Sequence, residues 1–287
     1  MKPTLALLAC TAVALPALAQ DAATDWDMFR DPDKKLIMAY ARFDVGLSIA
    51  TRCVNGSFEA VISGLPPAGR RETRSLGLAF GDDEFYTQRW NVAVNNTLAV
   101  SELPAPFARK LREGGRLRVF VPAGAGEGRN LTYDLALPAS SASIDETLMT
   151  CGRPLTDPRD AELEALPEGG LPANLNWANP PRGSFPVGGR YARGFATIMC
   201  LSNPDGSLRD CTVEAEHPQG GGFGEAALRA TRRARLGNAE TSEGPVPLAL
   251  ILYRTNFVVE GYETREDEQR RREDRARERQ ARSNRQD

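Results

Sequence analysis

Cysteine offers the clearest chemistry in this chain, and that chemistry is oxidation to disulfides. The cysteines are Cys10, Cys53, Cys151, Cys200 and Cys211. Cys10 lies in an N-terminal segment that is expected to be removed, which leaves four thiols. Four thiols in an oxidising compartment predict two disulfides, and the absence of a C-x-x-C spacing argues against a zinc site. The alternative is a set of unpaired buried thiols.

The N-terminal segment has the three parts of a cleavable export signal. Met1-Lys2 is basic, Leu5 to Leu18 is mostly apolar, and Ala17-Leu18-Ala19 fits the small-residue rule of signal peptidase. We therefore expect residues 1–19 to be a signal peptide, Gln20 to be the mature N-terminus, and the protein to lie in the periplasm. The alternative is a lipid anchor on Cys10. The apolar run is too short for a retained membrane helix, and the remaining sequence has no second candidate span.

Groups that could act in hydrolysis or bind a cofactor are sparse. The single histidine, His217, stands at a strand end, where a surface turn is the simpler interpretation, and no serine is placed to pair with it. The glycine runs lack the lysine that a phosphate-binding loop requires. Glu214 and Glu216 alternate on one strand and are expected to face solvent. We therefore predict a non-enzymatic protein without a cofactor or a metal; the alternative is an enzyme or inhibitor module in the N-terminal region.

Composition narrows the class of partner. The net charge of -2 argues against a nucleic-acid-binding protein, which would normally carry a strong basic excess. Apolar residues make up 41% of the chain and charged residues 26%, which are values typical of a globular protein.

The elements that must position the cysteines divide the mature chain into four parts. Residues 25–154 contain many short apolar runs separated by turn residues, which predicts a β-rich domain of sandwich or barrel-like form with one helix, Pro104 to Glu113. A bond between Cys53 and Cys151 would tie the last strand of this domain to an early one. Residues 155–189 are predicted to be a Pro/Gly-rich linker with a short helical stretch, Asp160 to Leu166. Residues 190–260 form a second domain.

The end of the chain has a different composition. Residues 261–287 contain nine Arg and eight acidic residues and almost no apolar ones. Such a segment cannot bury a core, so a disordered tail or a solvated single helix is expected.

The second domain opens with a hairpin. Ala196 to Leu201 and Leu208 to Val213 flank Asn203-Pro204-Asp205-Gly206-Ser207, a strong turn signal. The register that pairs Ile198 with Val213 gives one apolar face and places Cys200 opposite Cys211, within disulfide reach. Because Pro204 has no amide, we expect Asn203 and Leu208 to be the closing hydrogen-bonded pair.

A helix and a strand follow the hairpin. Phe223 to Leu236 places alanines on one helical face, and Val246 to Tyr253 is apolar on both faces. One face of this strand is expected to cover the helix at Ala227 and Ala230, and the other to be left for a neighbour. The whole chain is thus predicted to be α+β, with a two-layer strand-strand-helix-strand C-terminal domain.

This ordered set of elements resembles the C-terminal domain of the TonB family of energy transducers, over about residues 190–253. The matching segments are Gly194–Thr197, Pro204–Leu208, Phe223–Leu228 and Pro245–Pro247. The resemblance implies that an extended peptide of an outer-membrane receptor binds by adding a strand at the sheet edge. The implied partner-binding residues are Val246, Leu248, Leu250, Leu252 and Tyr253.

The chain also departs from that family. Members that transmit energy keep an N-terminal membrane helix and a long Pro-rich spacer, whereas this chain has a cleavable signal and a β-rich domain. Peptide or protein binding in the periplasm is therefore the expected function, as an envelope-transport accessory without a transmembrane anchor in the mature chain. A shorter motif, Phe107 to Gly114 followed by a strand, is similar to the invasion-associated locus B family.

Mass spectrometry of the intact mature protein tests the export signal. We expect a chain that begins at Gln20, because the small residues at positions 17 and 19 fit the cleavage site. A lipid-modified chain that begins at Cys10 would show instead that the segment directs lipidation.

Overall fold

The computed structural model describes residues 25–69, 71–93, 96–124, 126–167, 169–187, 190–241, 244–259 and 265–283. The expected signal peptide, residues 1–19, lies outside these residues. The α+β class is confirmed, since the described strands pair antiparallel in open sheets and the chain also forms helices. None of the helices in the described ranges has the length and hydropathy of a membrane span.

Nine strands of the N-terminal region form one antiparallel sheet, called here the large sheet. They are β1 (Asp27–Asp31), β2 (Leu36–Arg42), β3 (Ser48–Val54), β4 (Ser57–Ser63), β5 (Thr73–Phe80), β6 (Tyr86–Val92), β7 (Ala99–Ser101), β8 (Gly115–Val121) and β9 (Leu131–Leu137). Their order is β1-β2-β3-β4-β7-β6-β5-β8-β9. In the described residues β1 and β9 do not pair with each other, so the sheet is open.

Two helices pack against the large sheet. α1 (Pro104–Leu111) starts with proline at its first position, and Gly114, at φ 68°, ends its last turn. Phe107 on α1 packs edge-to-face against Trp90, with ring centroids 5.1 Å apart. α2 (Ala142–Thr150) was not expected, although Ile144, Thr147 and Leu148 are buried at helical spacing.

Cys53 and Cys151 form the first predicted disulfide, with Cα atoms 5.5 Å apart. Cys53 lies on β3 as expected, but Cys151 caps the end of α2 rather than lying on the last strand. The bond therefore links a helix to the sheet. Residues 142–150 form that helix because their apolar residues recur with a period of 3.6, which the sequence prediction overlooked.

The segment expected to be a linker contains regular structure. α3 (Arg159–Ala165) matches the predicted helical stretch. β10 (Leu175–Asn179) pairs with β13 (Arg235–Asn238) in a two-stranded sheet. Arg109 on α1 holds α3 through Asp160, with Nε 2.5 Å from Oδ2.

The C-terminal region forms a three-stranded antiparallel sheet, called here the small sheet. Its strands are β11 (Arg193–Ser202), β12 (Leu208–His217) and β14 (Leu250–Val258), in the order β12-β11-β14. The predicted hairpin and its disulfide are present, with the Cα atoms of Cys200 and Cys211 4.1 Å apart.

The predicted hairpin register is correct only at its centre. Ile198 pairs with Val213 as expected, but irregularities on both sides shift the register by one residue. The closing pair was wrong, because the amide of Asn203 donates to the carbonyl of Ser207 and not to Leu208. Gly206, at φ 77°, permits this tighter loop.

The predicted helix after the hairpin was too long. α4 (Phe223–Thr231) begins where expected, because the carboxylate of Glu216 accepts the amides of Gly222 and Gly224, each at 2.9 Å. The chain then leaves the helix, and Leu236 lies on β13, its amide bonded to the carbonyl of Gly206.

The predicted last strand was displaced along the sequence. β14 runs from Leu250 to Val258, whereas Val246 and Leu248 precede it. Pro245 and Pro247 lack the amides that a strand ladder needs, so pairing starts only beyond them. The end of the chain forms a single helix, α5 (Arg265–Ser283), whose described side chains are exposed, in agreement with a solvated helix.

The two disulfides should differ in their contribution to stability. They close loops of 98 and 11 residues, so a loop-entropy argument gives about 4.7 and about 2.8 kcal/mol. We expect Cys53→Ser/Cys151→Ser to lower the free energy of unfolding more than Cys200→Ser/Cys211→Ser in denaturant titrations. A digest that linked Cys53 to Cys200 would contradict the pairing itself.

Candidate functional site

Both faces of the small sheet are covered by other parts of the chain. The outer face packs on α4, where the hydroxyl of Tyr253 donates to the carbonyl of Ala227 at 3.3 Å. The inner face meets α3 and the loop after it, and its Met199 and Leu250 pack against Leu163. The neighbour expected for the second face of the last strand is therefore a preceding part of the same chain, α3 together with Leu103 of the N-terminal region.

A buried carboxylate on the large sheet joins the two sheets at one end. Glu59 on β4 is 2% exposed; its carboxylate lies 2.9 Å from Nδ1 of His217 on β12 and accepts from Arg52 at 2.6 Å. Burial raises the pKa of Glu59, but the hydrogen bond to His217 and the charge of Arg52 outweigh it and leave the pKa below its ordinary value. His217 is thus a contact between sheets rather than a surface turn residue.

A second buried carboxylate joins the sheets near their middle. Glu102, which follows β7, binds Arg89 at 3.2 Å and lies 3.3 Å from Nε of Arg254 on β14. Arg254 also donates to the side chain of Asn91 and lies over the ring of Phe195. Burial lowers the pKa of Arg254, and Glu102 partly offsets this by raising it.

The expectation that Glu214 and Glu216 face solvent was wrong. Glu214 is buried and lies 3.5 Å from Arg153, whose guanidinium also donates to the carbonyl of Val213 at 2.5 Å. Glu216 caps α4 as described above. Both carboxylates instead satisfy nearby donors, which is how buried charges are normally accommodated.

The residues predicted to bind a partner do not form one surface. Val246 is buried beneath β10 and β13, and Leu248 is 66% exposed; neither lies on the strand. Leu250 and Tyr253 are buried on opposite faces of β14, and Leu252 is half-buried on the inner face. The buried side chains of Val246, Leu250 and Tyr253 are therefore not free for a partner, whereas the backbone edge of β14 can still pair with one.

The edge of β14 is open over its second half. Val259 donates to Ala192, just before β11, and Ala249 accepts from Ser202 on β11. Strand alternation therefore turns the amides of Leu252, Arg254 and Asn256 outward. The amide of Leu252 donates to the carbonyl of Gly170 at 2.9 Å. Among the described residues, no backbone acceptor meets the amides of Arg254 and Asn256.

Gly170 fits against this edge only because it lacks a side chain. Its φ is 71°, and a Cβ there would collide with the carbonyl oxygen of Leu252. The first half of the edge is thus occupied by the chain itself, while Asn256 and Val258 are exposed.

A cavity of about 140 Å³ lies between the sheets, beside Leu252 and Arg254. Its apolar lining includes Leu103, Phe107, Leu163 and Leu166. Its polar lining includes Tyr86, Gln88, Arg89, Glu102, Lys110, Glu164, Thr197 and Arg254. Sequence reasoning missed this site, because its residues come from five separate stretches that only the packing of the two sheets brings together.

The ion pair around Glu59 should make stability depend on pH. We expect Glu59→Gln to lower the free energy of unfolding by about 3 kcal/mol near neutral pH, because Arg52 and His217 would then lose the carboxylate that they contact. The folded-state pKa is lowered from 4.5, so the stabilisation is present above that value and is lost as the pH falls through the folded pKa.

Denaturant titrations across acid pH test this directly. The unmodified protein should lose more stability between about pH 5 and about pH 3 than Glu59→Gln. Glu225→Gln, which changes an exposed carboxylate on α4, should keep the original pH dependence. Equal pH dependence in the protein and in Glu59→Gln would contradict the assignment.

Comparison with known proteins gives one partial similarity. No protein-family model matches the chain, and no curated protein matches it either. Among solved structures, the chain is similar to the TonB CTD of Pseudomonas aeruginosa, whose structure was determined by NMR in solution. The two share 16% sequence identity at a TM-score of 0.28, over 32% of this chain and 93% of that one.

Proposed function

We propose that the protein is a periplasmic, non-enzymatic binding protein that captures an extended segment of a partner protein by strand addition. The added strand pairs with the outer edge of β14 from Arg254 to Val258. The observation that carries the proposal is the position of β14 at the edge of the small sheet, with outward amides at Arg254 and Asn256 that have no described backbone acceptor. Strand addition gains its affinity from such main-chain groups.

The surroundings of the edge support the proposal. Val258 and Val259, at the end of the strand, are large apolar residues that remain 48% and 41% exposed. An added strand would cover them. The opposite edge of β14 pairs with β11 over nine residues, so the strand is a rigid template for a partner.

The partner class follows from the proposed location. Two disulfides are compatible with an exported protein. Because the sequence resembles the TonB C-terminal domain, an exposed segment of an outer-membrane receptor is the first candidate. We propose an accessory role in envelope transport for such a binding protein.

The alternative of an enzyme in the N-terminal region has less support. Polar residues of that region do converge in the cavity between the sheets, which an active site would require. The described residues that line it include no serine, cysteine or histidine, so the usual nucleophiles of a hydrolase do not face it.

Asn256→Pro tests strand addition. This change removes an outward amide while leaving the hydrogen bonds to β11 intact, because Asn256 alternates away from β11. We expect partner binding to weaken about tenfold, from one lost hydrogen bond and the clash of the ring. Asn256→Ala is the matched control, since it removes the side chain and keeps the amide.

A photoreactive amino acid in place of Val258 would supply the measurement. It should cross-link in the periplasm to an extended segment, identified by mass spectrometry, in the control variant and in much lower yield in Asn256→Pro. Thermal melting of both variants checks that each is folded. A cross-link to the same segment that persists in undiminished yield in folded Asn256→Pro would rule out strand addition at this edge.

A further inference from the structure

Several polar atoms that line the cavity are buried without a hydrogen-bond partner. Oγ1 of Thr197 and Oε1 of Gln88 are of this kind, and Thr197 is only 1% exposed. Nε of Arg254 also lacks hydrogen-bond geometry, although it lies 3.3 Å from Glu102. Buried polar groups are nearly always satisfied, so these atoms indicate a missing partner in the cavity.

The charges of the lining favour an anion as that partner. Lys110 is neutralised by Glu164, with Nζ 2.6 Å from Oε1. Arg89 and Arg254 share a single carboxylate, that of Glu102. The described lining residues therefore carry one positive charge more than they carry negative charges.

The unpartnered groups can all donate to one anion. Thr197 and Arg254 are opposite each other on β11 and β14, so both side chains project from the inner face and line the cavity with a hydroxyl donor and an Nε–H donor. The amide of Gln88 can turn its NH₂ group inward, because its two ends are interchangeable in shape. A carboxylate accepts several such hydrogen bonds at once, and bonds to a charged group are the stronger kind.

The size and the apolar lining define the rest of the ligand. A cavity of about 150 Å³ in another protein holds one benzene molecule, and the volume here is about 140 Å³. Leu103, Phe107 and Leu163 would contact a group of that size. The site therefore suits an anion that carries an apolar group of about this size.

We propose that this cavity binds a small monocarboxylate with a branched or aromatic apolar group. Its carboxylate accepts from Thr197 and Arg254, and its apolar group lies against Leu103, Phe107 and Leu163. A free organic acid and the C-terminal residue of a peptide offer the same chemistry. The site does not depend on strand addition at β14, so either proposal can fail alone.

Calorimetric titration of the full, oxidised chain tests the site. The probes are 4-methylpentanoate and the uncharged 4-methylpentanamide, which has nearly the same shape. The acid should bind at least about tenfold more tightly than the amide, because only the acid meets the excess positive charge. Absence of binding by the acid, or equal binding of both, would overturn the proposal.

Thr197→Val links binding to the proposed contacts. The valine keeps the shape and removes the hydroxyl, so the acid should bind about tenfold more weakly. Because that hydroxyl has no partner in the protein, the melting temperature should not fall. Thr255→Val, on the opposite face of the same sheet, should leave binding unchanged. Unchanged affinity in Thr197→Val would overturn the assignment.

N-acetyl-leucine distinguishes the two sources of the carboxylate. If it binds more tightly than 4-methylpentanoate, the ligand class is a peptide C-terminus. If it binds more weakly, the ligand class is a free acid; either order supports a carboxylate site.

Discussion

Three buried carboxylates join the two sheets, and each contacts a histidine or an arginine from the opposite side of the interface. Glu59 and Glu102 belong to the N-terminal region and meet His217 and Arg254 of the small sheet. Glu214 belongs to the small sheet and meets Arg153. Within the packed interface these contacts matter, because a buried carboxylate without a partner would cost several kcal/mol. The two regions are therefore coupled by chemistry and not only by a connecting segment.

This coupling determines which parts of β14 can meet another protein. Its inner face is committed to α3 and to the cavity, and its outer face to α4. Gly170 occupies the edge near Leu252. Only a short length of backbone is left, which makes main-chain pairing, rather than side-chain recognition, the mode of binding open to this strand.

Local signals in the sequence predicted what local interactions determine. The turn at Asn203 to Ser207 and the apolar alternation beside it predicted the hairpin and the bond between Cys200 and Cys211. The start of α4 was predictable for the same reason, since Phe223 and the glycines before it form a helix boundary.

The parts that were missed depend on contacts between distant residues. The apolar run suggested that β14 starts at Val246. Pro245 and Pro247 prevent hydrogen bonding there, so the strand starts later, and its pairing with β11 extends to Val258. No pattern within the first region indicates that Glu59 would need His217, 158 residues later. The cavity follows from that same packing, so its residues could not be grouped from the sequence.

The aromatic residues between 175 and 187 have a consequence for work with fragments. Trp177 packs on Tyr253, and Phe185 on Phe223 and Phe257, with ring centroids 5.8 to 6.5 Å apart. A fragment that began near residue 190, where the family resemblance starts, would lack Trp177 and Phe185 and would expose their partner rings as well as the inner face of the small sheet. Exposed apolar patches of this kind promote aggregation. A recombinant C-terminal fragment should therefore begin upstream of Leu175, and even then its inner face would need solubilising substitutions.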